Sequence, residues 1–133
     1  MNLGFIGTGT IASSVINGIF KSKISFKKIY ISRRNKKNSQ KLKKKYNKVF
    51  VLDYNQEIID KCDWIFLSIT PNIGNKIIKE LKFKPNQTVI NFMLTSTIPQ
   101  LKKAIKVNAK IIRAIPLPPI SLKKGPVPIY PPN

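Results

Sequence analysis

Histidine is missing from the chain, and cysteine and tryptophan occur once each. The first absence removes the commonest general base and the commonest metal ligand. With one thiol, Cys62, and five carboxylates scattered along the chain, no metal site is expected. A lone cysteine cannot close an intramolecular disulfide, so a reducing cytoplasm is the expected setting. Apolar runs are short. None approaches the roughly 18 residues that a membrane helix requires, and residues 2–6 lack the basic start of a secretory signal. No membrane partner is expected.

Acidic residues are also scarce against 25 Lys and Arg, leaving a net charge of +20. Such an excess ordinarily suggests nucleic acid or an anionic surface. Only three of the cations are arginine: Arg33, Arg34 and Arg113. Lys, Ile and Asn together fill 56 positions, and all three have adenine- and thymine-rich codons, so genome composition accounts for the bias without a ligand. The lysines of 41–48 fall where a solvated helix face is expected. No specific nucleic-acid partner is expected, although a basic face would attract an anionic cofactor and substrate over distance. At 133 residues and 42% apolar, the chain has room for one domain around one core.

The apolar pattern alternates between two periods. Residues 2–6 read as a short buried strand that runs straight into Gly7-Thr8-Gly9. Over 10–20, Ile11, Val15, Ile16 and Ile19 have helical spacing. Strand, helix, strand and helix follow at 27–32, 39–46, 49–52 and 55–61. The run from Asp63 to Ile69, closed by Pro71, reads as a central strand buried on both faces. Helix at 73–81, strand at 88–92, helix at 98–105 and strand at 110–115 complete the series. Strict alternation predicts an α/β fold, a parallel sheet covered by helices on both sides. Seven of the seventeen residues from Pro116 to Pro132 are proline, which excludes helix and favours edge strand or extended coil. The expected division is a dinucleotide-binding domain at 1–115 and a proline-rich tail at 116–133 leading to a C-terminal domain that the sequence does not include.

Gly7-Thr8-Gly9-Thr10-Ile11-Ala12 matches the glycine fingerprint of dinucleotide-binding Rossmann folds, G-x-G-x-x-G/A. Gly7 permits the tight turn out of the strand, Gly9 lets a pyrophosphate approach the backbone, and Ala12 lets the helix pack close to the sheet. The N–H groups and positive dipole end of that helix suit phosphate. The position of the motif, between a strand and an amphipathic helix, gives it specificity. About 20 residues further on, an NAD site carries an acid for the ribose 2′-hydroxyl. Here the chain reads Ser32-Arg33-Arg34-Asn35. Arginine binds a 2′-phosphate with charge-assisted hydrogen bonds that a carboxylate would oppose, so NADP(H) is the expected cofactor, with Arg33 favoured because it lies nearer the strand end.

The chain resembles the N-terminal domain of pyrroline-5-carboxylate reductases, NADPH-dependent enzymes that reduce a cyclic imine to proline. The resemblance rests on the opening Leu3–Ala12 segment, on Asp63-Trp64-Ile65-Phe66-Leu67-Ser68-Ile69-Thr70-Pro71, on Asn55, and on Arg113-Ala114-Ile115-Pro116-Leu117-Pro118-Pro119 followed by Gly125 and Tyr130. It implies a Rossmann-type doubly wound parallel sheet in which Gly7, Thr8, Gly9, Thr10, Ile11, Ser32, Arg33, Arg34, Asn55, Ser68, Thr70 and Pro71 bind the cofactor. No catalytic residue is assigned, because hydride transfer to an imine needs no nucleophile from this segment. Ser68, Thr70 and Thr95 are expected near the nicotinamide, or as capping and turn residues.

Departures from the family fall at the substrate end. Leu117 and Pro118 stand where the family usually has Asn and Thr, and Met93-Leu94-Thr95 where it has small residues ending in Gly. The family also carries a helical domain that dimerises and completes the substrate pocket, so a homo-oligomer is expected only where that domain is present. Three function classes stay open: an imine reductase domain, a related NADP-dependent reductase with another small substrate (including a deazaflavin-linked type), and a non-catalytic binding module.

Overall fold

The computed structural model describes residues 1–93, 97–115 and 129–130. Strands and helices alternate along the chain as β1 (Leu3–Ile6), α1 (Thr10–Lys21), β2 (Ile29–Ser32), α2 (Lys36–Lys45), β3 (Val49–Leu52), α3 (Asn55–Lys61), β4 (Trp64–Leu67), α4 (Pro71–Glu80), β5 (Thr88–Asn91), α5 (Ile98–Ile105) and β6 (Lys110–Ala114). A two-residue strand, β7 (Ile129–Tyr130), follows. The sheet order is β3-β2-β1-β4-β5-β6-β7. Every pairing is parallel except the last, where Arg113 and Ala114 face Tyr130 and Ile129 antiparallel. This is the Rossmann-type α/β sheet that strict alternation implies. Part of the proline-rich stretch therefore pairs with the sheet as an edge strand, where a proline-flanked segment is tolerated.

Side chains along the central strands point alternately into two cores. Phe5 of β1, Phe66 of β4 and Ile90 of β5 join Ala12, Val15, Ile16 and Ile19 of α1 and Leu42 of α2 on one face. Ile6, Ile65, Leu67 and Val89 meet Ile58 and Ile59 of α3, Ile78 of α4 and Leu101 and Ile105 of α5 on the other. Strands covered on both sides must be apolar throughout, which explains the unbroken Trp64–Leu67 run. Across β1 and β4 the rings of Phe5 and Phe66 stack with centroids 4.3 Å apart. Each fully buried Ile, Leu or Phe stabilises the fold by about 1.5–3 kcal/mol relative to exposure.

Helix starts have local causes. α2 begins three residues before the hydrophobic pattern suggests, because Asn35 caps it: its Oδ1 accepts from the Asn38 N–H at 3.3 Å. α4 starts at Pro71, whose fixed φ and missing N–H suit the first helical position. Thr97 and Gln100 cap α5 reciprocally. No helix among the described residues is long and apolar enough to cross a membrane.

Candidate cofactor site

Successive strands run outward from β1 to β3, and β4 then returns to the opposite side of β1. Ligands of open α/β sheets bind beyond the carboxyl ends of the strands at such a reversal. A hollow of about 420 Å³ lies there, lined by Gly7, Thr8 and Gly9 after β1, by Arg34, Asn35 and Lys36 after β2, and by Ser68, Ile69, Thr70 and Ile73 after β4.

Gly7 and Gly9 do different things. Gly7 has φ +102°, and a Cβ there would collide with the Ser68 carbonyl, so this residue turns the chain and seats the loop against the end of β4. A Cβ on Gly9 would meet nothing within 4 Å. Gly9 is the N-cap of α1, and no side chain caps that helix. The N–H groups of its first turn have no intrahelical partner and border the space above Gly9. Ala12 is fully buried under them. A phosphate group fits this arrangement, with open space beside uncapped donors at a positive dipole end.

The loop after β2 is tied to the glycine loop. Ser32 is buried and its Oγ accepts from the Gly7 N–H at 2.9 Å. Thr8, also buried, donates its hydroxyl towards the Ser32 carbonyl at 3.4 Å. The Asn38 side-chain amide donates to the Thr8 carbonyl at 2.9 Å. Ser32 thus braces the loop from behind instead of facing the hollow.

Of the two adjacent arginines, Arg34 lines the hollow, together with the unanticipated Lys36. Arg33, the one favoured from its place along the chain, lies 3.7 Å from Asp53, both side chains being largely exposed. The parallel register explains the encounter: Ser32 pairs with Leu52, so the next residue of each strand emerges beside the other. No acid is near Arg33 along the chain, but one is near in space. Exposed pairs of this kind contribute little to stability.

The remaining expected residues divide. Ser68 and Thr70 line the hollow opposite the arginine. Thr10 and Ile11 form the first turn of α1, and α4 begins at Pro71. Asn55 borders a different hollow, between α3 and the end of α4, with Tyr54, Gln56 and Lys82 among its neighbours. Met93 is buried in the core. Leu94, Thr95, Leu117, Pro118 and Gly125 lie outside the described residues. Asn35, Lys36 and Ile73 were not singled out from the sequence, although Asn35 carries a readable signal: an Asn ahead of a helix is a cap candidate. No group of three His, Cys, Asp or Glu among the described residues could hold a metal.

The model of a protein family described as NADP oxidoreductase, coenzyme F420-dependent, matches residues 2–95. The chain belongs to this family. NADP(H), the cofactor expected from the Ser32–Asn35 segment, is the cofactor of the family's description. Among curated proteins, pyrroline-5-carboxylate reductase 3 of Danio rerio is 29% identical over 128 residues, covering 94% of this chain and 44% of that protein. The pyrroline-5-carboxylate reductase of Escherichia coli is 25% identical, covering 92% and 46%. The chain thus spans less than half the length of these curated relatives. Among solved structures, the Coxiella burnetii pyrroline-5-carboxylate reductase superposes with a TM-score of 0.85 at 24% identity, over 96% of this chain and 48% of that one. The Plasmodium falciparum pyrroline carboxylate reductase, solved with NADP bound, gives 0.79 at 22% over 97% and 47%.

Proposed function

We propose that the chain is the cofactor-binding half of an NADPH-dependent reductase of a cyclic imine, 1-pyrroline-5-carboxylate, yielding L-proline in a reducing cytoplasm. The observation that carries the reading is that the glycine loop, Arg34 and Lys36 share one hollow whose lining among the described residues contains no carboxylate. The curated relatives, matched over more than nine-tenths of the chain, supply the substrate class.

When bound, the nicotinamide supplies the hydride for the imine carbon. The chain itself binds and orients. Gly9, Thr10 and Ile11 offer backbone donors to the pyrophosphate, with Gly7 and Thr8 shaping the turn. Arg34 and Lys36 hold the 2′-phosphate, with Arg33 beside them and Ser32 bracing the loop. Ser68 and Thr70 form the opposite wall, on the nicotinamide side, and Pro71 starts the helix that follows them. Asn55 stands apart from this group and is the weakest member of the expected set.

Calorimetric titration with NADPH and NADH tests the cofactor half of the reading, and complementation of a proline auxotroph by the full reading frame tests the substrate half. Preferential NADPH binding with growth supports both. The family's description names coenzyme F420, which favours a deazaflavin-linked reductase as the second reading. NADPH binding without growth points to it, whereas equal affinity for the two cofactors overturns the 2′-phosphate assignment.

A further inference from the structure

Resting on the NADP reading above, we infer that Asn38 is a positioning residue for cofactor selection: it locks the glycine loop and the 2′-phosphate loop into one surface. Asn38 lies in the first turn of α2, outside the lining of the hollow. Its two ends do separate jobs. The backbone N–H is held by the Asn35 side chain at 3.3 Å, which starts the helix just beyond Arg34. The side-chain amide reaches across 30 positions of sequence to the Thr8 carbonyl at 2.9 Å.

One residue therefore ties the cap that places Arg34 and Lys36 to the middle of Gly7-Thr8-Gly9. A second tie runs parallel to it, from the Gly7 N–H to the buried Ser32 Oγ at 2.9 Å. The pyrophosphate and the 2′-phosphate belong to one ligand. A site that grips both gains from the second phosphate only if the two loops keep a fixed separation, because ordering them at the moment of binding costs affinity. Asn38 shares in holding that separation with the Ser32 and Thr8 hydrogen bonds, and does so from outside the lining of the hollow.

The test uses Asn38→Ala, Arg34→Ala and the double variant, titrated with NADPH and NADH. Alanine is the best helix former, so α2 persists; Asn38→Ser, too short to reach Thr8, serves as a second variant, and thermal melts accompany each. A neutral hydrogen bond is worth about 0.5–1.5 kcal/mol, so Asn38→Ala should weaken NADPH binding by about 2- to 10-fold. NADH affinity should change by less, and the NADPH-to-NADH preference should fall. In the Arg34→Ala background the Asn38 substitution should cost NADPH little more, since residues acting as a unit are not additive.

A loss shared equally by both cofactors, or losses that add in the double variant, would show a purely structural Asn38 and overturn the proposal. Failure of the NADP reading looks different: the unsubstituted chain itself would not prefer NADPH.

Discussion

Two glycines on either side of Thr8 have opposite sensitivities. At Gly9 a Cβ would enter open space, so Gly9→Val should cost stability no more than the loss of a glycine N-cap, about 1 kcal/mol, while abolishing NADPH binding. Unchanged affinity by calorimetry would sink the phosphate-loop assignment. At Gly7 the positive φ alone costs an alanine about 1–3 kcal/mol, and the Ser68 carbonyl obstructs it further. Gly7→Ala should lower stability in urea denaturation whether or not cofactor is present. The arginines are also placed unequally: Arg34 lines the hollow and Arg33 lies beside Asp53. Hydrogen bonds to a charged group are worth about 1.5–3 kcal/mol. Arg34→Ala should therefore weaken NADPH by about 10- to 150-fold, with NADH almost unaffected, and Arg33→Ala should do less because Arg34, and not Arg33, lines the hollow. If Arg33 proves the stronger of the two, the cavity geometry is misread. Both arginines were visible in the sequence; their different placement was not, since it depends on β2 and β3 lying in register.

Among the elements, α3 ends at the chain's one thiol. Cys62 is 2% exposed against Gly4, whose missing side chain makes room for it. Burial, aided by the neighbouring Asp63 carboxylate, pushes its pKa up to about 12 from an ordinary 9.0. The unfolded thiol loses its proton near 9, whereas the folded one keeps it to about 12. The thiol's contribution to stability is thus fully present below pH 9 and is lost as pH rises from 9 through 12. Denaturation of the native chain and of Cys62→Ala at pH 8 to 11 should show the steeper decline in the native chain. A thiol reagent at neutral pH should label Cys62 only on unfolding. Most element bounds followed from apolar spacing alone: β3, α3 and α5 agree residue for residue with the sequence reading. α2 and α4 began early because a cap and a first-turn proline, not hydrophobic period, set where a helix starts.

Charge is a property of the whole molecule. All five carboxylates fall within residues 53–80, leaving thirteen cations and no acid in residues 1–52, where the glycine loop and Arg34 also lie. Such a field raises the capture rate of an anionic cofactor without specifying a nucleic acid. Duplex DNA should bind weakly, without sequence preference, and be released steeply between about 50 and 200 mM salt in an anisotropy titration. A tight, sequence-dependent complex at physiological salt would refute this. Alternating periods, the glycine fingerprint and the missing acid near Ser32 determined the fold class and the cofactor from sequence alone, because they are local: each depends on residues within one turn, strand or helix. Tertiary structure alone decided that Asp53 meets Arg33, that Ser32 braces Gly7, that Asn38 reaches Thr8 and that Asn55 stands apart. Those contacts join residues 20 to 30 positions distant, and only the register of the parallel strands brings them within hydrogen-bond or ion-pair range or holds them apart.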